Sequence, residues 1–126
     1  MTLTEKIFLL KSIPPFNNLS DSELILTANI TQVKTYVNEA IIYTEGNELY
    51  NLFIIANGEV ITSNNKRIKN HFGFNELVKD EVINENICAL GEVTMLLISK
   101  AHLLTLLYES PSIMIDFLSL KSGDES

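Results

Sequence analysis

At 126 residues, 46% of them apolar and 20% charged, the chain is long enough to bury one hydrophobic core and too apolar to be disordered. Its formal net charge of −7 argues against a nucleic-acid surface, which needs clustered Lys and Arg to displace counterions. The single cysteine excludes an internal disulfide and fits a reducing compartment.

In chain order, the opening residues carry one short apolar run, Ile7 to Leu10, too brief for a signal-peptide core. Ser20 and Glu23 in "LSDSEL" form a capping box, and an apolar helical pattern follows through Ala28. From Val33 the texture changes to short β-branched runs: "VKTYV", "AIIYT", "LFIIA", "EVITS", then "ICAL" and "TMLLIS". Gly46-Asn47 and Asn57-Gly58 tolerate positive φ, and the latter is expected as a hairpin turn between two strands. The basic run Lys66 to His71 reads as the solvated edge of a hairpin. After Ser99, the expected cap, Leu103, Leu104, Leu106 and Leu107 crowd one helical face, and Ser110-Pro111 starts a second helix before the polar tail "KSGDES". The most apolar stretch, Thr94 to Leu107, is broken by Lys100 and His102, so no membrane span is expected and the protein is placed in the cytoplasm. The expectation is one domain over 1–126: a helical entry at about 4–30, a β-roll at about 33–99 and C-terminal helices at about 100–120. The fold class is mainly β with flanking helices, an antiparallel double-stranded β-helix, or jelly roll.

This order of elements, with the strings "LLKSIPPFNNLSDSEL", "AIIYTEGNELYNLFIIANGEV" and "LLISKAHLLTLL", resembles the cyclic nucleotide-binding domain family, the sensor module of catabolite-activator-type regulators. The resemblance runs from about Ile7 to Leu118 and is most specific from Gly46 to Val60. It implies a phosphate cassette that reads Phe-Gly-Glu, a short helix, then Pro-Arg-Ser/Ala-Ala-Thr-Val. In that pattern the Glu holds the ribose hydroxyl, the Arg pairs with the phosphate, and helix amides complete the cradle.

Aligned from Phe72-Gly73, the ribose position falls on Phe74; aligned backwards from "NICAL", the phosphate position falls on Ile83. The two anchors agree without an insertion, and both charged contacts have become apolar. The residual cassette therefore comprises Phe72, Gly73, Phe74, Asn75, Glu76, Ile83, Asn84, Glu85 and Asn86. A slip of two residues would offer Glu76 as ribose acceptor, but no arginine appears in either register. Lys79, flanked by Val78 and Asp80, reads as a solvent-facing lysine before a phosphate contact. Between Val60 and Phe72 the sequence is shorter than the family pattern and lacks its glycine turn, which implies a trimmed wall beside the pocket.

Micromolar binding corresponds to about −8 kcal/mol, and truncating one partner of a buried charged pair costs roughly 2 to 5 kcal/mol. Loss of the arginine alone thus leaves affinity near millimolar, and Asp80, Glu81 and Glu85 add an acidic field against any anion. His71, His102 and Cys88 make no metal spacing. Cys88 between Ile87 and Ala89 sits in an apolar setting that argues against a reactive thiol. Glu76, Asp80, Glu81 and Glu85 lack the pattern of a calcium loop and read as a solvated face. Phe8, Phe16, Phe53, Phe72 and Phe74 are core candidates, and Phe74 is expected to point into the former ligand cavity.

With no nucleophile, base and orienter at usable spacing, an enzyme is not expected, and no cofactor is implied. The leading expectation is a non-catalytic regulatory or protein-interaction module that acts through a protein partner or the remainder of a larger chain. The alternative is a working sensor for cyclic AMP, cyclic GMP or another small molecule.

Overall fold

The computed structural model describes residues 1–117, in two compact units: a β unit, Gln32–Lys100, and a helical unit made of residues 1–31 and the segment from Ala101.

In the helical unit, α1 (Leu3–Leu10) and α2 (Asp21–Ile30) each begin with a capping box. The Ser20 hydroxyl accepts the Glu23 amide, and the Glu23 carboxylate accepts the Ser20 amide at 3.0 Å. The Ser20 backbone bond, aided by side-chain bonds from Ser110 and Ser20, holds the Glu23 carboxyl below its usual pKa. Thr2 and Glu5 form the same box, a signal that the "TLTE" string carries. Phe16 packs edge-to-face on Phe117 with ring centroids 5.5 Å apart. Phe8, expected in the core, is instead 78% exposed. Leu10 and Ile7, three residues apart, set the inward face of α1, and Phe8 is rotated about 100° away from Ile7. Along α4 (Lys100–Glu109), Leu103, Leu106 and Leu107 are buried, while Leu104 turns to the margin of that face. Residues 112–117 are helical after Ser110-Pro111 as expected; Leu118 and the polar tail lie outside the described residues.

The β unit holds β1 (Gln32–Tyr36), β2 (Ile41–Tyr43), β3 (Asn51–Thr62), β4 (Arg67–Ile68), β5 (His71–Phe72), the short helix α3 (Phe74–Lys79) and β6 (Ile87–Ser99). All pairings are antiparallel, and β3 and β6 run together along their whole length, from Asn51↔Ser99 to Thr62↔Ile87. Each long strand changes its other partner midway. β3 pairs with β5 through Phe53 and Ile54, then with β4 through Val60 and Ile61. β6 pairs with β2 through Ile87 and Cys88, then with β1 from Val93 to Leu97. This exchange of partners produces the antiparallel roll of a jelly-roll fold.

Two sequence expectations are corrected here. "LFIIA" and "EVITS" are one strand, so Asn57-Gly58 is not a hairpin turn but a bulge inside β3, with register shifts on both sides of Asn57. "ICAL" and "TMLLIS" are likewise one strand, β6. A strand can bend at a glycine without leaving its ladder, because the bulge absorbs the extra residue. At Gly58, φ is +97°, and a Cβ would come within 2.4 Å of the Glu92 carbonyl oxygen, so the strands cross here at a distance only glycine allows. The basic run does form a hairpin edge: Asn65 closes the turn to Thr62, and exposed Arg67 pairs with Glu59 at 2.6 Å.

Core residues of the β unit come from both faces of the long strands. Leu52, Ile54, Leu96 and Ile98 are fully buried on one face, and Phe53, Val93, Met95 and Leu97 are buried on the other. Phe53 stacks on Phe72 across the β3–β5 pair, with centroids 4.7 Å apart and rings 9° from parallel.

Candidate ligand cassette

The segment from β5 to the start of β6 takes up the loop–helix–loop shape of a cassette. Phe72, the last residue of β5, is buried beneath its stack with Phe53. Gly73 then turns the backbone at φ +100° as the cap of α3, and a Cβ there would meet Leu49 Cδ2 at 3.0 Å and the Asn51 carbonyl at 3.3 Å. Glycine is required on both counts. Phe74 opens α3 and is 4% exposed; Asn75 and Glu76 follow half-buried. The helix stops at Asp80, whose φ of 58° is a left-handed conformation that Asp tolerates better than most residues.

The second half of the segment is fastened by its backbone. Ile83 donates its amide to the Tyr43 hydroxyl at 3.0 Å and accepts the Gly46 amide at 3.0 Å. Tyr43 in turn donates to the Asn47 carbonyl. The Asn86 side-chain oxygen accepts the Glu45 amide at 2.7 Å, and its backbone carbonyl accepts the Ser63 amide at 2.9 Å. Ile83 and Asn86 are therefore tied to the β2–β3 connection and to the end of β3. Asn84 is exposed. Glu85 is half-buried, with Oε1 shielded from solvent and no hydrogen-bond partner among the described residues.

A cavity of about 290 Å³ lies beside α3, lined by Glu48, Glu76, Asp80 and Glu81 with apolar Leu49, Leu77 and Val82. Its one cation, Lys100, is held by Asp80 at 3.1 Å. The Tyr50 hydroxyl donates to Glu48 at 2.8 Å, and that bond, together with the Glu48 charge, raises the Tyr50 pKa. Lys79 is exposed, and it does not line this cavity. A second cavity, of about 480 Å³, lies between β3 and the hairpin that follows it, and its walls include Asn57, Arg67 and Lys69. Phe74 and Ile83, which the sequence resemblance aligns with the ribose and phosphate positions, line neither, so these two cavities do not bring them together.

The chemistry available is thus a short helix with an acidic hollow beside it, apolar side chains at positions 74 and 83 and no arginine in the segment. The described residues contain no group of three or more His, Cys, Asp or Glu able to hold a metal ion. No described helix is long and apolar enough to cross a membrane. Sequence reasoning missed Tyr43, whose hydroxyl holds the loop. Its only signal was a polar aromatic in a short strand, and its partner lies 40 residues away.

No protein-family model matches this sequence, and no curated protein matches it. Among solved structures it is similar to the regulatory domain of Toxoplasma gondii PKA with cAMP, at 18% identity and a TM-score of 0.83 over 97% of this chain and 50% of that one. It is similar to PKAR CBD2 bound to Sp-2Cl-cAMPS, at 21% identity and a TM-score of 0.76 over 97% of this chain and 91% of that one. A third similar structure is the regulatory subunit of a cAMP-independent protein kinase A from Trypanosoma brucei, at 22% identity and a TM-score of 0.77 over 96% of this chain and 47% of that one. The chain spans about half the length of the first and third of these. Its fold is that of the cyclic nucleotide-binding domain, as the sequence resemblance implied.

Proposed function

We propose that this protein is a non-catalytic, cytoplasmic regulatory or protein-interaction module that keeps the cyclic nucleotide-binding fold without useful affinity for cyclic AMP or cyclic GMP. It passes its effect to a protein partner or to the remainder of a larger chain. The observation that carries the proposal is at Ile83, the residue aligned with the phosphate position: its side chain is apolar, and its amide and carbonyl are both spent, on Tyr43 and Gly46. An anion would find neither a guanidinium nor that amide there. Buried Phe74 at the ribose position and four carboxylates around the neighbouring cavity favour the same reading. Among similar structures, one cAMP-bound form of the trypanosome subunit described as cAMP-independent carries three substitutions, one of them threonine to arginine.

The test is calorimetry of the wild type with cyclic AMP and with cyclic GMP. No saturable heat is expected up to about millimolar ligand, the affinity left when one charged contact of a micromolar site is lost. Saturable binding at micromolar ligand would overturn the proposal in favour of a working sensor. A second arm takes Ile83→Arg, Phe74→Glu and their combination, each checked for folding. Each charge-assisted bond is worth about 1.5 to 3 kcal/mol, so the combination should bind cyclic nucleotide better than either single change. A wild type that binds, weakened by Ile83→Arg, would mean that the loop serves a different ligand.

A further inference from the structure

Asn57-Gly58 has the composition of a hairpin turn yet sits in the middle of β3, where no turn uses it. Three observations give it another consequence. First, Asn57 is the only asparagine of the sequence followed by glycine, so every other asparagine precedes a nitrogen screened by a side chain. Second, Asn57, Gly58 and Glu59 are exposed, and the ladder shifts register on both sides of Asn57, so water reaches a backbone that is not in a regular strand. Third, Asn57 lines the cavity of about 480 Å³ that Glu59, Arg67 and Lys69 also line, and since Glu59 is paired with Arg67, Lys69 is the cation of that wall not held by Glu59.

We propose that Asn57 is a site of covalent self-modification, deamidation through a cyclic imide, and that its product adds a carboxylate beside the basic hairpin. The Gly58 backbone nitrogen, on losing its proton, attacks the carboxamide carbon of Asn57. A new C–N bond closes a succinimide ring, the original carboxamide C–N bond breaks, and the amide nitrogen leaves as ammonia carrying the transferred proton. Water then opens the ring at one of its carbonyls. Opening on one side leaves an aspartate at position 57 with a normal backbone; opening on the other leaves an isoaspartyl linkage, with one extra methylene in the backbone. No oxidant or cofactor is consumed. Fixed positive charge near the developing oxyanion lowers the barrier. Arg67 is partly spent on Glu59, so the exposed Lys69, on the same cavity wall as Asn57, is the candidate for that charge.

The protein cannot shed this lability by exchanging the glycine. A Cβ at position 58 would lie 2.4 Å from the Glu92 carbonyl oxygen and 3.0 Å from Val93 Cα. Close packing of β3 on β6 therefore fixes a reactive dipeptide in place. Conversion adds one negative charge to a formal net charge of −7, and it adds that charge at the most basic edge of the molecule. In the isoaspartyl form the lengthened backbone also shifts the pairing of Asn57 with Thr94.

The experiment holds the folded wild type in mildly alkaline buffer beside a urea-unfolded sample, then digests both at acidic pH for peptide mapping by mass spectrometry. Isoelectric focusing of the intact protein runs in parallel. The Asn57 peptide of the folded protein should gain the mass of an amide-to-acid conversion before any other asparagine peptide. An intact-protein band should appear, shifted by one negative charge. Asn57→Gln, which closes the larger ring far more slowly, should show no such band, and a Lys69→Gln variant should convert more slowly than wild type. The proposal fails if another asparagine of the folded protein converts first. It fails equally if Asn57 stays intact in the folded protein after the unfolded sample has converted there.

Discussion

The β3–β6 pair and the segment from Gly73 to Asn86 lie in the same compact unit and are held by opposite means. The strands are fixed largely through their side chains: Leu52 to Ile54 and Met95 to Ile98 are buried on both faces, so those positions are specified by the volume around them. The cassette is fixed through its backbone. Gly73, the left-handed Asp80, the Ile83 and Asn86 carbonyls and the Ile83 amide hold its course, and these backbone bonds at positions 83 and 86 do not depend on which side group those residues carry. A segment held in this way keeps its shape while its residues change. Such a segment holds the apolar Phe74 and Ile83 without losing its course.

Phe53 offers the largest test of that contrast. It is 6% exposed, stacks on Phe72 and lies opposite Leu97 in the β3–β6 register. Phe53→Ala should cost about 3 to 5 kcal/mol in chemical denaturation, through lost burial and the cavity left behind. A loss under about 1 kcal/mol would put the strand core among tolerant positions and erase the distinction from the cassette.

What the sequence makes legible follows the same division. The capping box at Ser20 and the β-branched runs of the strands are local patterns, written within a few residues, and the box is where the pattern places it. The two breaks in alternation, at Asn57-Gly58 and near Gly91, look like strand ends. From within one strand, a bulge and a turn look alike, and only the antiparallel partner at Glu92–Val93 distinguishes them. Phe8 is misplaced by the sequence pattern because an apolar run of four around a short helix does not state which side faces inward. The anchoring of Ile83 is invisible for a different reason, since it depends on a tyrosine in another strand.

That tyrosine gives the intermediate effect. Tyr43 is 6% exposed and its hydroxyl serves both the Ile83 amide and the Asn47 carbonyl. Tyr43→Phe keeps the ring and removes the bonds, leaving enclosed polar groups at a cost of about 1 to 3 kcal/mol. Hydrogen exchange should accelerate at the Ile83 amide while the amides of β3 keep their protection, because opening the loop need not open the strands. Uniform acceleration across β3 as well would show that cassette and strands open as one unit, and the contrast in how they are held would lose its energetic meaning.

The smallest effect is expected at the one charged fastening of the cassette found among the described residues. Lys100 reaches Asp80 at 3.1 Å, but the two side chains are 39% and 85% exposed. An ion pair so open to water contributes at most about 1 kcal/mol, and added salt weakens it further. Asp80→Asn removes the charge while keeping a residue type that tolerates the left-handed conformation required at φ 58°. The variant should therefore unfold within about 0.5 kcal/mol of wild type, with the difference vanishing at high salt. If it loses more than about 1 kcal/mol at low salt and recovers none of it as salt rises, Asp80 is holding the turn by hydrogen bonds through its carboxylate. If the loss is that large and salt abolishes it, charge fastens the cassette after all, and the backbone bonds at Ile83 and Asn86 are the lesser part of its support.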